Sequence, residues 1–145
     1  MSGLLGKAPL TSDIAFFLEI AVIIILFFGR FRLARKQRLV GHGYTMMLAV
    51  VLHACSVVLV MVPSLAISLD LLVTDLQNPA IIITWIHVPI GLTALILGIF
   101  LMTVWRFRSP ATSCLKRKRL MRPLFWLWTL SVTLGILIYL SIALG

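Results

Sequence analysis

Four ionisable side chains lie in stretches of this sequence that are otherwise apolar: Glu19, His42, His53 and His87. The clearest example is AVVLHACSVVLVM, where His53 stands in the middle of the run. A polar or charged group in hydrocarbon is costly unless another group bonds to it, so such positions indicate a functional site or a specific partner. For histidine, the available chemistry is metal or haem ligation and proton transfer.

Helix geometry predicts that three of these side chains share one layer of a bundle. His53 stands ten residues before Pro63, and His87 stands eight residues after Pro79. If both prolines mark the same end of the bundle, the two histidines differ in depth by only about 3 Å. Glu19 lies in the same half of its own apolar stretch.

Two facing histidines can ligate one b-type haem through imidazole nitrogens on both axial sites of the iron. His53 and His87 are the predicted ligands, and the small residues Gly91 and Gly98 would leave room for the porphyrin beside His87. The same small residues also favour plain close packing of two helices, which is the commoner use of this pattern.

Other chemistry remains open for the same residues. Together with Glu19, the two histidines could hold a single metal ion or form a proton relay. They could equally bond to neighbouring hydroxyl or carbonyl groups and hold helices together without any cofactor. His42 lies on the same helix face as His53, about 16 Å away. It is expected near the membrane interface, where its imidazole reaches water or lipid phosphate.

The elements that position these groups must be membrane helices. The sequence is 61% hydrophobic and 12% charged over 145 residues, with a mean hydropathy of +1.13, and a water-soluble domain needs more polar surface. Four stretches reach the length that crosses a bilayer. The prediction is an all-α, single-domain, integral membrane four-helix bundle with up-down topology and spans at 13–29, 43–63, 80–105 and 124–144.

The basic residues predict the orientation of this bundle. Of 13 Lys and Arg residues, all but Lys7 fall in the loops 30–38 and 106–122. Such a bias places both loops in the cytoplasm and both termini on the outer side of the cell membrane. Arg117 and Arg119 could bind anionic lipid headgroups. Because the net charge of +9 is confined to these loops, it indicates topology and gives no reason to expect a nucleic acid partner.

Two further expectations follow from residue types. Trp85, Trp105, Trp126, Trp128 and Tyr139 lie near predicted helix ends and are interpreted as interface anchors. The sequence contains no serine nucleophile arrangement, phosphate-binding loop or CxxC pair, so no catalytic residues are predicted, and the chain is not expected to be an enzyme by itself.

The segment KRLMRPLFWLWTLSVTLGILIYL, together with HGYTMMLAVVLHACSVVLVM and WIHVPIGLTALILG, resembles the small four-helix membrane family known as domain of unknown function (DUF) 420. The resemblance covers nearly the whole chain and is closest at Pro123, Trp126, Thr133, Gly135 and Tyr139. It implies a respiratory setting, because members of the CtaM type are needed to mature haem-copper cytochrome oxidases. The family's recurring histidines would correspond to His42 and His87, whereas His53 has no clear counterpart.

The leading functional hypothesis is a small cytochrome b-like subunit or accessory protein of a respiratory or other membrane redox complex. It would bind one haem b between the second and third spans and pass single electrons, with a quinone as a candidate exchange partner. The alternative is a non-catalytic assembly or structural subunit of a larger membrane oxidase-type complex, without its own cofactor. A transporter is disfavoured, because the sequence has no repeat and no pair of broken helices.

Overall fold

The computed structural model describes residues 9–34, 39–107 and 118–144, and nearly all of them are helical. Helix α1 spans Leu10–Ala34 and helix α2 spans Leu39–Ser56, followed by a π-helical turn at Val57–Met61. Two short helices, α3 and α4, span Val62–Ile67 and Leu69–Thr74. Helix α5 spans Pro79–Phe107 and helix α6 spans Lys118–Leu144. The predicted all-α class is confirmed.

Within the described residues, four helical stretches are long and apolar enough to cross a membrane: Leu10–Phe31, Gly41–Ile67, Pro79–Trp105 and Arg119–Leu144. Each contains one of the four predicted spans. Large apolar side chains such as Ile24, Leu59 and Trp126 are more than 60% exposed on the outside of the bundle. In hydrocarbon this surface is solvated by lipid tails, which removes the penalty it would carry in water.

Contacts between neighbouring helices show that each pair runs antiparallel. Glu19 and Gly29 of α1 bond to His53 and His42 of α2, in reversed order along the chain. Helices α5 and α6 are paired in the same reversed sense, as are α1 with α6 and α2 with α5. The four long helices therefore form a ring in which α2 and α6 lie on one diagonal and run in the same direction.

The apolar core fills the middle of this ring. It comprises buried side chains from all four long helices: Val22, Leu26, Ala49, Val50, Ala94, Leu124, Phe125, Trp128 and Val132. One end of the bundle carries the loops with most of the basic residues and is called the basic end. The other end, where α1 begins and α5 begins, is called the Asp13 end.

The segment between the second and third spans is more helical than the sequence indicated. A loop was expected from about residue 64 to 79, but α3 and α4 occupy most of it. The π-helical turn precedes Pro63, which has no N–H to continue the α-helical ladder and whose ring would crowd the carbonyl four residues back. Helix α5 starts as expected, since Asn78 accepts a hydrogen bond from the Ala80 N–H through its side-chain oxygen at 3.0 Å.

Candidate functional site: a buried polar layer

His53 and Glu19 form a buried pair between α2 and α1. Nδ1 of His53 lies 2.9 Å from Oε1 and 3.1 Å from Oε2 of Glu19. The two residues are 1% and 6% exposed. The buried side chains next to them include the apolar Val22 and Ala49, so each is the natural hydrogen-bond partner of the other. The prediction that Glu19 and His53 lie in one layer agrees with this contact.

The second ring nitrogen of His53 faces the bundle interior. Nε2 is buried and has no hydrogen-bond partner among the described residues. The imidazole of His53 is in edge contact with the indole of Trp128 on α6, at 5.2 Å between ring centroids. With Nδ1–H donated to the carboxylate, the neutral imidazole carries its free lone pair on Nε2, the form in which histidine binds metals.

His87 is bound to the opposite helix pair. Its Nδ1–H donates to the backbone carbonyl of Ser131 on α6 at 3.0 Å, and its ring lies against Gly135, where an added Cβ would come within 3.4 Å of Cε1. Ser131 lies one helical turn along α6 from Trp128, which is in ring contact with His53. His87 therefore belongs to the same polar layer, but no direct hydrogen bond joins it to His53 among the described contacts.

The glycines predicted to face a porphyrin contact helix α6. A Cβ at Gly91 would lie 2.9 Å from Oγ of Ser131, and a Cβ at Gly98 would lie 3.0 Å from Cζ3 of Trp128. These two glycines thus allow α5 and α6 to approach closely. Helix packing, the alternative interpretation of the small-residue strip, accounts for both positions without a cofactor.

His42 does not face lipid or water, which corrects the prediction made for it. The residue is 4% exposed, and its Nδ1–H donates to the carbonyl of Gly29 on α1 at 2.9 Å. The imidazole lies at the level expected but points inward, because the face that it shares with Ala49 and His53 is the buried face of α2. Of the two arginines assigned to lipid headgroups, Arg119 is exposed, and Arg117 lies outside the described residues.

The structure adds a second buried polar pair that the sequence analysis did not propose. The hydroxyl of Tyr139 on α6 donates to Oδ1 of Asp13 on α1 at 2.5 Å, and the two residues are 6% and 0% exposed. Tyr139 was interpreted as an interface anchor. The sequence did hold a signal for this pair. Asp13 lies near the start of the first span and Tyr139 near the end of the fourth, and these two points are at the same end of an up-down bundle.

Two tryptophans interpreted as interface anchors are also interior. Trp105 and Trp128 are 8% and 2% exposed, whereas Trp85 and Trp126 remain on the surface. Trp105 covers Gly43 and packs edge-on against Tyr44. A tryptophan near a helix end can face the membrane interface or the bundle interior. Which of the two it faces depends on the rotation of the helix about its axis.

This layer can bond, ligate or exchange a proton, but it does not present a ready metal site. Among the described residues, no group of three or more His, Cys, Asp and Glu side chains is arranged to hold a metal ion. No protein-family model, curated protein or solved structure matches this chain. The interpretation of the layer therefore depends on its own geometry.

Proposed function

We propose that this chain is a small accessory or electron-transfer subunit of a membrane redox complex, which binds one haem b through Nε2 of His53 and Nε2 of His87. The observation that carries the proposal is the state of His53: one nitrogen is held by a carboxylate and the other is buried without a partner. A helix-packing histidine gains nothing from an unsatisfied nitrogen, which costs about 1–3 kcal/mol when buried.

The ligand atoms fit this role. Metal-bound histidines usually donate their second N–H to a carboxylate or a backbone carbonyl, which fixes the tautomer and the ring orientation. Glu19 supplies the carboxylate for His53, and the Ser131 carbonyl supplies the acceptor for His87. The surrounding packing fits less well, because α6 covers Gly91 and Gly98. Binding at that face would require α6 to move away from α5.

When bound, a haem would supply a one-electron carrier. The chain's own contribution is then to hold the two imidazoles, to keep Nε2 of each unprotonated, and to exclude water with the apolar core. The proposed orientation has both basic loops in the cytoplasm, so the polar layer lies in the outer half of the membrane. A quinone is the proposed lipid-soluble exchange partner. The resemblance to the DUF 420 family supports the respiratory setting and a larger membrane complex as partner.

A second candidate is a cofactor-free assembly or structural subunit. It is favoured by the close contacts of Gly91 and Gly98 with α6 and by the hydrogen bonds of all three histidines, each of which crosses to another helix. In that case the polar groups fix helix register, and the exposed apolar surface provides the area for partner helices.

The deciding experiment is a dithionite-reduced minus oxidised visible spectrum of the purified protein, expressed with haem synthesis active. Haem ligation predicts an α-band in the wild type that is lost in His53→Ala and in His87→Ala. His42→Ala is the matched control, because His42 is also buried on the same face of α2 and donates to a backbone carbonyl, yet is not a proposed ligand. A folded wild-type protein with a flat spectrum overturns the haem proposal and favours the cofactor-free candidate.

A further inference from the structure

Four buried polar atoms on helices α2 and α6 have no hydrogen-bond partner among the described residues: Nε2 of His53, Oγ of Ser56, Nε1 of Trp128 and Oγ of Ser131. All four residues are between 0% and 2% exposed. Buried polar atoms are nearly always paired with protein or with ordered water, so several of them in one place call for an explanation.

The directions of α2 and α6 put the four residues in the same part of the bundle. His53 and Trp128 are in ring contact. Ser56 and Ser131 each follow their neighbour by three residues, which places them on the same side of the helix and about 4.5 Å further along the axis. Because α2 and α6 run in the same direction, both serines are displaced toward the Asp13 end. The His53–Trp128 contact and the serines about one turn beyond it therefore define two successive levels on α2 and α6, and Oγ of Ser131 faces Gly91 of α5.

Ser56 and Ser131 differ from most threonines in the described part of the chain, whose hydroxyls bond to their own helix. The hydroxyls of Thr45, Thr84, Thr93, Thr129 and Thr133 donate to the backbone carbonyl four residues back, the usual solution for a hydroxyl in a membrane helix. Ser141 donates to the carbonyl of Ile138. Ser56 and Ser131 make no such bond, although they are the most deeply buried.

We propose that these four groups form an internal water-binding site beside the Glu19–His53 pair. The site offers N–H and O–H donors together with hydroxyl and imidazole acceptors, which is the mixed set that a buried water needs for three or so hydrogen bonds. A water in this site would bond to Nε2 of His53, while Nδ1 stays bonded to Glu19.

The titratable groups closest to this site are Glu19 on α1 and His87 on α5. The Asp13–Tyr139 pair lies nearer to the Asp13 end, with Tyr139 about 12 Å along α6 from Ser131. The π-helical turn begins directly after Ser56, and such turns occur frequently at functional sites. The inference describes the haem-free protein and does not rest on the proposed function, since a haem-ligated Nε2 could not bond to water.

The test uses the full chain, labelled with ¹⁵N-histidine and embedded in bilayers of deuterated lipid, without added haem. The sequence contains 3 histidines, so substitution of each assigns the imidazole signals. The measurement is the rate at which magnetisation passes from water protons to each ring over a few milliseconds. His42 is an internal reference, because it is similarly buried and is bonded to a carbonyl.

We expect transfer to His53 to be at least twofold faster than transfer to His42 in the wild type. The double variant Ser56→Ala, Ser131→Ala should lower the rate at His53 toward that of His42, whereas the surface control Ser141→Ala should leave it unchanged. Equal rates at His53 and His42 in folded wild-type protein would overturn the water site, even if the double variant does not fold. Absorption reports haem and this experiment reports water, so the two proposals fail independently.

Discussion

Nδ1 of His53 lies 2.9 Å from Oε1 of Glu19, although the two residues are 34 positions apart in the sequence. The contact joins α1 to α2 in the interior of the bundle, where both groups are buried. This contact is the only hydrogen-bonding interaction described for either side chain. Removing one partner therefore leaves the other buried and unsatisfied, which is more costly than losing the bond alone.

Glu19→Ala is accordingly expected to lower the free energy of unfolding by about 1–3 kcal/mol. Glu19→Gln should cost less, because the amide oxygen still accepts a hydrogen bond from Nδ1–H of His53. The measurement is equilibrium unfolding of the protein in lipid–detergent micelles by a denaturing detergent, followed by circular dichroism. Asp70→Asn is the control, since that carboxylate is exposed on α4. A loss in Glu19→Ala no larger than in the control would contradict a stabilising role for the pair.

The pair of Tyr139 and Asp13 predicts a second destabilisation at the other end of these helices. Tyr139→Phe removes the hydroxyl that donates to Oδ1 of Asp13 and should cost about 1–3 kcal/mol, because the buried carboxylate loses this donor. Tyr44→Phe is the matched control, since Tyr44 is 57% exposed. A double-mutant cycle with Asp13→Ala, which removes the acceptor, measures the coupling. Additive effects of the two substitutions would show that the contact contributes no stability of its own.

The depth of each polar group could be predicted from the sequence, whereas its direction could not. Counting residues from the prolines placed His53 and His87 at similar depth, because rise per residue is nearly constant along a helix, and Glu19 was placed in the same half of the bundle. The rotation of α5 and α6 about their own axes could not be predicted in this way. Both helices are apolar on all faces, so the pattern does not show which face is interior. His87 therefore proved to bond to Ser131, and Trp128 to lie inside the bundle.

His42 illustrates the same limit on a single helix. Its spacing of 11 residues from His53 correctly placed the two on one face, and that face is buried. The prediction that it meets water or lipid phosphate assumed that a histidine near a helix end is exposed. That assumption overlooked Gly29, whose backbone carbonyl accepts a hydrogen bond from the ring of His42 on α2.

The glycines of the α5–α6 contact should tolerate alanine unequally. A Cβ at Gly98 would lie 3.0 Å from the rigid indole of Trp128, whereas a Cβ at Gly135 would make an ordinary contact of 3.4 Å with His87. We expect Gly98→Ala to destabilise the protein by about 1–3 kcal/mol and Gly135→Ala to change stability by about 0.5 kcal/mol or less. The same unfolding assay measures both. Equal tolerance would indicate that α5 and α6 are not packed as closely as described.

The proposed orientation makes a prediction about chemical access from the two sides of the membrane. Gln77 is exposed between α4 and α5, at the end of the bundle opposite the basic loops. In a variant lacking both natural cysteines, Gln77→Cys should react with a membrane-impermeant maleimide on intact cells. The native Cys114, in the predicted basic loop 106–122 and outside the described residues, should react only after the membrane is permeabilised, tested in a Cys55→Ala background.

The physical reason is that positively charged loops are retained on the cytoplasmic side during insertion, and 12 of the 13 Lys and Arg residues fall in the two loops at one end. Labelling of the cysteine-free protein sets the background, and permeabilised cells show that each cysteine can react. The reverse pattern, with Cys114 labelled on intact cells and Gln77→Cys protected, would invert the proposed orientation. It would also move the Glu19–His53 pair, and with it the proposed haem or water site, to the inner half of the membrane.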